Sequence, residues 1–129
     1  MASTGTSRPK NTPESTTDFF DHTEALSRVD GDTELLANLM DIFSTQAGPM
    51  LEAVRSAVSS NDPDKLEKAA HRLKGSVSIF GAHSVSQAAF ELEKMGREGN
   101  LTQMTSGLSQ LEQHMTNLQS ALKQFRREL

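Results

Sequence analysis

The chain has 129 residues, a formal net charge of −4 and no Cys, Trp or Tyr, enough for one domain with a buried core but offering no disulfide framework, thiolate metal site or thiol nucleophile. The acidic balance argues against nucleic-acid binding, since Arg126 and Arg127 make a pair rather than a basic patch. No run of about 18 apolar residues exists, and nothing apolar follows Arg8 and Lys10, so neither a membrane span nor a signal peptide is read.

Residues 1–17 are Ser, Thr, Pro, Asn and Gly with scattered charges, too polar to bury anything, and read as a disordered tail or linker ahead of a domain over 18–129. Phe19, Phe20 and Leu26 mark a short helix that starts near Thr17 or Asp18, either of which can cap it, and that covers one end of the fold. Asp30-Gly31-Asp32 breaks it and caps the next helix, which carries Leu35, Leu36, Leu39, Ile42, Phe43, Met50, Leu51, Val54 and Val58. Gly48-Pro49 interrupts that run, yet the apolar phase continues across it, so one long helix bent at Pro49 is expected. Asn61-Asp62-Pro63 ends it and opens a third helix, with Asp62 as cap and Pro63 at its first position.

Gly81 ends the third helix and Ser84 is expected to cap a fourth, with core positions Val85, Ala88, Ala89, Leu92 and Met95. After Gly99, Asn100 and Gln103 resemble a capping box ahead of Leu101, Met104, Leu108, Leu111, Met115, Leu118, Leu122 and Phe125, a stripe alternating by three and four. Such a stripe serves an antiparallel bundle or a coiled-coil dimer. Three other amphipathic helices joined by short loops favour the bundle. The expected architecture is all-α: an antiparallel up-down four-helix bundle with a short additional N-terminal helix.

On the third helix, Leu66, Ala69, Ala70, Leu73, Val77 and Phe80 gather on one side, and His71 projects from the other. Its neighbours there are Asp64, Glu67, Lys68, Lys74, Gly75 and Ser78, all charged or small, so the imidazole is expected in solvent. Gly75, one turn on, costs about 1 kcal/mol in a helix interior relative to Ala, which calls for a reason. Its missing side chain would let another macromolecule approach His71, and Lys74 places a cation within reach of anything anionic on the ring.

Through His71, Lys74, Gly75, Ser76, Gly81 and Ala82, the chain resembles the histidine-containing phosphotransfer (HPt) domain of two-component phosphorelays, over roughly residues 20–126 in helix pattern. The resemblance implies His71 as phosphoacceptor, Lys74 as the charge that steadies the phosphoryl oxygens and Gly75 as clearance for the partner. It also implies receiver domains and a hybrid sensor histidine kinase as partners, with Mg²⁺ in the receiver and no cofactor or metal in this chain. In that family the following helix often orients the ring, and Glu93 occupies the position usually held by Gln or Glu. The other reading of Glu93 is a surface residue paired with Arg97 at i+4. Gln87 is a further orienting candidate.

A neutral imidazole nitrogen is a good nucleophile toward phosphorus near neutral pH. Phosphoryl transfer needs chiefly positioning and charge stabilisation, so an exposed His with one cation and an open approach suffices on this side. The rim Asp64, Glu67, Lys68 and Ser78 is the expected docking face, around an apolar patch that the sequence leaves unmapped. Ser76 and Ser78 suit either the phosphoryl group or tight helix packing. Glu67 and His71 stand at i, i+4, but the chain lacks the paired Glu-x-x-His of di-iron bundles and the His-Glu-x-x-His of zinc proteases. His22, His83 and His114 read as surface or helix-end residues. Without a Gly-x-x-x-x-Gly-Lys loop, no ATP site is expected. The expected chain is a monomeric, cytoplasmic module, either free-standing or the carboxy-terminal part of a membrane-bound sensor kinase. The competing function is a non-catalytic helical adaptor or dimerisation module built on residues 101–125.

Overall fold

The structure, a computed structural model, describes residues 19–129, all of whose regular elements are helical. The tail read over residues 1–17, and Asp18, lie outside the described residues. In chain order the helices are α1 (His22–Arg28), α2 (Thr33–Ser59), α3 (Pro63–Ser78), α4 (His83–Glu98) and α5 (Met104–Arg127). Helix α3 packs between α2 and α4, and α5 closes the ring by touching both α4 and α2. The four long helices thus form the expected bundle, with α1 as an addition.

Cap chemistry explains several of the boundaries. Asp32 accepts from the Leu35 amide at 3.0 Å to start α2, and Asp62 accepts from Lys65 at 3.1 Å to start α3 with Pro63 in its first turn. Helix α2 runs unbroken from Thr33 to Ser59 with Pro49 inside it, and Phe43, Ala47, Met50 and Val54 stay buried across the Pro.

Helix α1 is capped by Asp21, which accepts from the Glu24 amide at 3.0 Å; the expected caps Thr17 and Asp18 lie outside the described residues. Two expected starts differ. Helix α4 begins at His83, ahead of Ser84, because Ala82, 1 % exposed, anchors the turn and its carbonyl accepts from Ser86 at 2.9 Å. The Ser84 side chain therefore lies in the first turn, past the cap. Asn100 does not cap α5: its Oδ1 accepts from the Thr102 hydroxyl at 2.9 Å, forming a local turn that delays the helix to Met104. Leu101 packs on the core from that turn instead of from a helix.

The core is one cluster in which Phe20, Phe80, Leu36, Leu66, Leu73, Leu92, Leu111, Met115 and Leu118 are each under 2 % exposed. Burying one such leucine contributes roughly 2 kcal/mol. The α5 stripe at Leu111, Met115 and Leu118 is consumed inside this core. Helix α1 lies on the end of the bundle, where the Asp21 amide donates to the Phe80 carbonyl at 3.0 Å and the Phe20 ring meets Phe125 edge-on at 5.4 Å. His22 stacks on Phe125 at 4.3 Å, so this ring is packed in rather than free on the surface. Its burial holds the imidazole below its ordinary pKa, against the pull of Glu128 and Asp21. Gly81, at φ +63°, turns the chain beneath α1, where a Cβ would stand 2.8 Å from Asp21 Cβ.

At Gly96, α4 packs directly against the backbone of α3. A Cβ there would come within 2.6 Å of both the Glu67 amide nitrogen and the Pro63 carbonyl oxygen. Only the absence of a side chain allows this spacing. Gly75 on α3 has no such constraint, with nothing within 4 Å of a built Cβ. The two helix glycines should therefore behave oppositely in chemical denaturation. Gly96→Ala is expected to lose about 1–3 kcal/mol by forcing the helices apart, and Gly75→Ala to gain up to about 1 kcal/mol from helix propensity.

Candidate functional site

His71 emerges from the middle of α3 with its side chain 67 % exposed. Its core-side neighbours Ala70 and Leu73 are fully buried, which fixes the helix face and leaves the ring outside. The close α3–α4 contact at Gly96 brings Glu93 beside it. Glu93 is only 3 % exposed, the sole buried charged or polar residue among those described. Its Oε2 lies 2.9 Å from His71 Nδ1 and also accepts from Arg97 Nη2 at 2.9 Å.

Lys74 Nζ stands 2.7 Å from the other oxygen, Oε1. This is the shortest of the three contacts on the carboxylate, a charge-assisted pair. Lys74 also sits over the Phe90 ring, 5.2 Å from its centre. Arg97 reaches back to α3, donating from Nε to Glu67 Oε2 at 3.2 Å.

Burial alone would push the Glu93 carboxyl up, but the Lys74 ammonium and the His71 ring outweigh it and hold the group below its ordinary value of 4.5. Glu93 is thus a carboxylate near neutral pH. It favours the ring tautomer with the proton on Nδ1, which leaves the Nε2 lone pair free. No described residue hydrogen-bonds Nε2.

Glu93 touches His71 and also pairs with Arg97, but it is buried, not the surface residue of the second reading. Gln87 is not brought to the ring, because its amide donates to Glu91 at 2.8 Å on the outer side of α4. The Ser76 hydroxyl turns inward to Met50 Sδ at 3.2 Å, and Ser78 bonds the Gly75 carbonyl at 2.8 Å. Both are thereby occupied within the fold. Asp64 pairs with Lys68 at 3.0 Å in the exposed rim. His83 faces Glu24 at 3.2 Å at the start of α4. Among the described residues no cluster of three or more His, Cys, Asp or Glu could hold a metal ion, and no helix is long and apolar enough to cross a membrane.

The unmapped apolar surface now has members. Leu35 and Ile42 on α2 are 43 % and 52 % exposed. Further along α2, a groove between α2 and α3 has Met50, Ala53 and Ala69 in its lining, with Lys65, Lys68 and Arg72. Phe90 exposes 37 % on the α4 side of His71. A larger groove between α2 and α5, bounded by Asp41 and Arg126, contains no residue of the His71 cluster. Sequence reasoning missed Phe90 and Gly96. Phe90 is a large aromatic off the α4 core stripe, and Gly96 is a helix-interior glycine, the same signal that marked Gly75.

The family model described as "Hpt domain" matches residues 38–121. The chain belongs to the Hpt domain family, and its function is histidine phosphotransfer in a phosphorelay. It is 37 % identical over 62 residues to the sensor protein TorS of Escherichia coli (strain K12), a match covering 48 % of this chain and 7 % of TorS. Its fold matches histidine-containing phosphotransfer protein B (HptB) of Pseudomonas aeruginosa PAO1, with a TM-score of 0.80 at 24 % identity, covering 86 % of this chain and 96 % of that one. The HPT domain from a sensor hybrid histidine kinase of Shewanella gives a TM-score of 0.72 at 18 % identity, covering 81 % and 91 %.

Because the Glu93 carboxyl is depressed, its ionised form stabilises the folded chain above its unfolded pKa, and that contribution fades as pH falls through the folded value. Glu93→Gln is expected to lose roughly 1–3 kcal/mol at pH 7 in urea denaturation. The gap to the wild type should close progressively in acid, below the ordinary carboxylate value of 4.5.

Proposed function

We propose that His71 Nε2 is the phosphoacceptor, taking a phosphoryl group from the aspartyl phosphate of one receiver domain and passing it to the aspartate of another. The observation that carries this reading is the hydrogen bond from His71 Nδ1 to the buried Glu93 carboxylate on a ring that is otherwise exposed. Nε2 attacks with its lone pair, the N–P bond forms, the bond from phosphorus to the aspartyl oxygen breaks, and the aspartate leaves as carboxylate. Nε2 carries no proton in this tautomer, so none has to be moved. The ring becomes a cation protonated on Nδ1, and the Glu93 carboxylate offsets that charge. Lys74 steadies the phosphoryl oxygens, moving there from Glu93 Oε1, and Gly75 leaves room for the receiver.

A Mg²⁺ ion held by the receiver would neutralise charge on the transferring group. The receiver would dock across the α2–α3 face, covering Leu35 and Ile42, with Lys68 and Arg72 beside His71. The rim residues Asp64, Glu67 and Ser78 border that contact. With the α5 stripe used up in the core, a coiled-coil dimer has no seam, which supports a monomeric domain. A hybrid sensor kinase as donor, and a cytoplasmic module of it as the setting, belong to the same proposal.

The test uses a receiver domain charged with acetyl phosphate and Mg²⁺, mixed with the wild-type chain or with His71→Gln. Acid-labile, alkali-stable phosphate should accumulate on the wild type and be absent from the variant. A folded wild type that takes no label from several receivers would instead point to an adaptor role.

A further inference from the structure

Of the groups around His71, Arg97 is the one that the transfer step leaves without a role. It bridges the two helices, with Nη2 on Glu93 Oε2 and Nε on Glu67 Oε2. Glu93 Oε2 therefore takes two hydrogen bonds, from His71 and from Arg97, while Oε1 pairs with Lys74 alone. Of the two cations, only Arg97 is anchored on a second carboxylate among the described residues.

Resting on the reading of His71 as phosphoacceptor, we propose that Arg97 is a positioning residue that fixes Glu93 on His71 Nδ1 and so frees Lys74 to move to the phosphoryl oxygens. A dianionic phosphoryl group on Nε2 attracts the Lys74 ammonium away from Oε1. A carboxylate as buried as Glu93 cannot lose a cation without a remaining partner, because an uncompensated buried charge is strongly unfavourable. Arg97 stays on Oε2 throughout and shares that part with the Nδ1-protonated ring, which it holds in place through the common oxygen. Its second anchor on Glu67 keeps the guanidinium from swinging into solvent, where 52 % of its side chain already lies. The near-contact of Gly96 with the Glu67 backbone sets the spacing that lets this bridge form.

The test compares the wild type with Arg97→Ala and Arg97→Lys by two readouts. The first is ¹⁵N NMR of the His71 ring in the unphosphorylated chain at pH 8, assigned with His71→Gln. The second is the rate of transfer from a phosphorylated receiver. The wild type should show one tautomer, with the proton on Nδ1. Arg97→Ala should show a mixture of the two and transfer roughly tenfold more slowly, in the range found for partners that orient a functional imidazole. Arg97→Lys should recover part of both.

A folded Arg97→Ala chain with the wild-type tautomer and wild-type rate overturns the proposal. Should Arg97→Ala fail to fold, Glu67→Ala removes only the outer anchor; it should shift the tautomer in the same direction, and an unmoved spectrum overturns the proposal equally. Failure of the underlying reading is separately visible, as phosphate persisting on His71→Gln, because the ring spectrum needs no phosphorylation.

Discussion

The constraint on which the site depends is one carboxylate, Glu93, held almost out of water and shared among a histidine, a lysine and an arginine. A carboxylate so buried is tolerated only when its charge is compensated at close range. Here the compensation comes from three side chains on two helices, at 2.7 to 2.9 Å. Through that arrangement an exposed imidazole acquires a defined proton position without being buried itself. On the proposed reading, the nitrogen that meets the partner is Nε2 on this exposed ring, and Nδ1, which holds the proton, faces the carboxylate.

That geometry makes demands on the rest of the bundle. Glu93 reaches His71 only because α4 lies tightly against α3, and the spacing is set at Gly96, where backbone meets backbone without a Cβ between. The turn at Phe80, Gly81 and Ala82 holds the two helices in register, and α1 is fastened to that turn through Asp21. On the other flank, the contact of α3 with α2 opens into an apolar and basic groove beside the histidine. On the proposed reading, one face of α3 serves the chemistry and the adjoining one receives the partner.

Much of this was legible in the sequence where the information is local. The apolar period of α3 placed His71 outside, Asp62-Pro63 located the helix start, and the continuous phase across Pro49 called for one long helix. The helix starts at Ser84 and Asn100 were misplaced because each is a good capping type. A buried Ala82 at one turn, and an Asn100 to Thr102 bond at the other, decided the boundary instead. The choice between Glu93 and Gln87 as orienting residue could not be made from periodicity. It depends on the axial offset of two helices, which the Gly96 contact fixes in three dimensions. Arg97 was visible only as the i+4 partner of Glu93, since its reach to Glu67 spans that same interhelical gap.

The central claim is that Glu93 commits the ring to reaction at one nitrogen. The most direct measurement is heteronuclear ³¹P and ¹⁵N NMR of the phosphorylated, ¹⁵N-histidine-labelled chain, which identifies the nitrogen bonded to phosphorus. The account expects phosphorus on His71 Nε2, with Nδ1 still protonated. Phosphorus on Nδ1, or on any other residue, would contradict it.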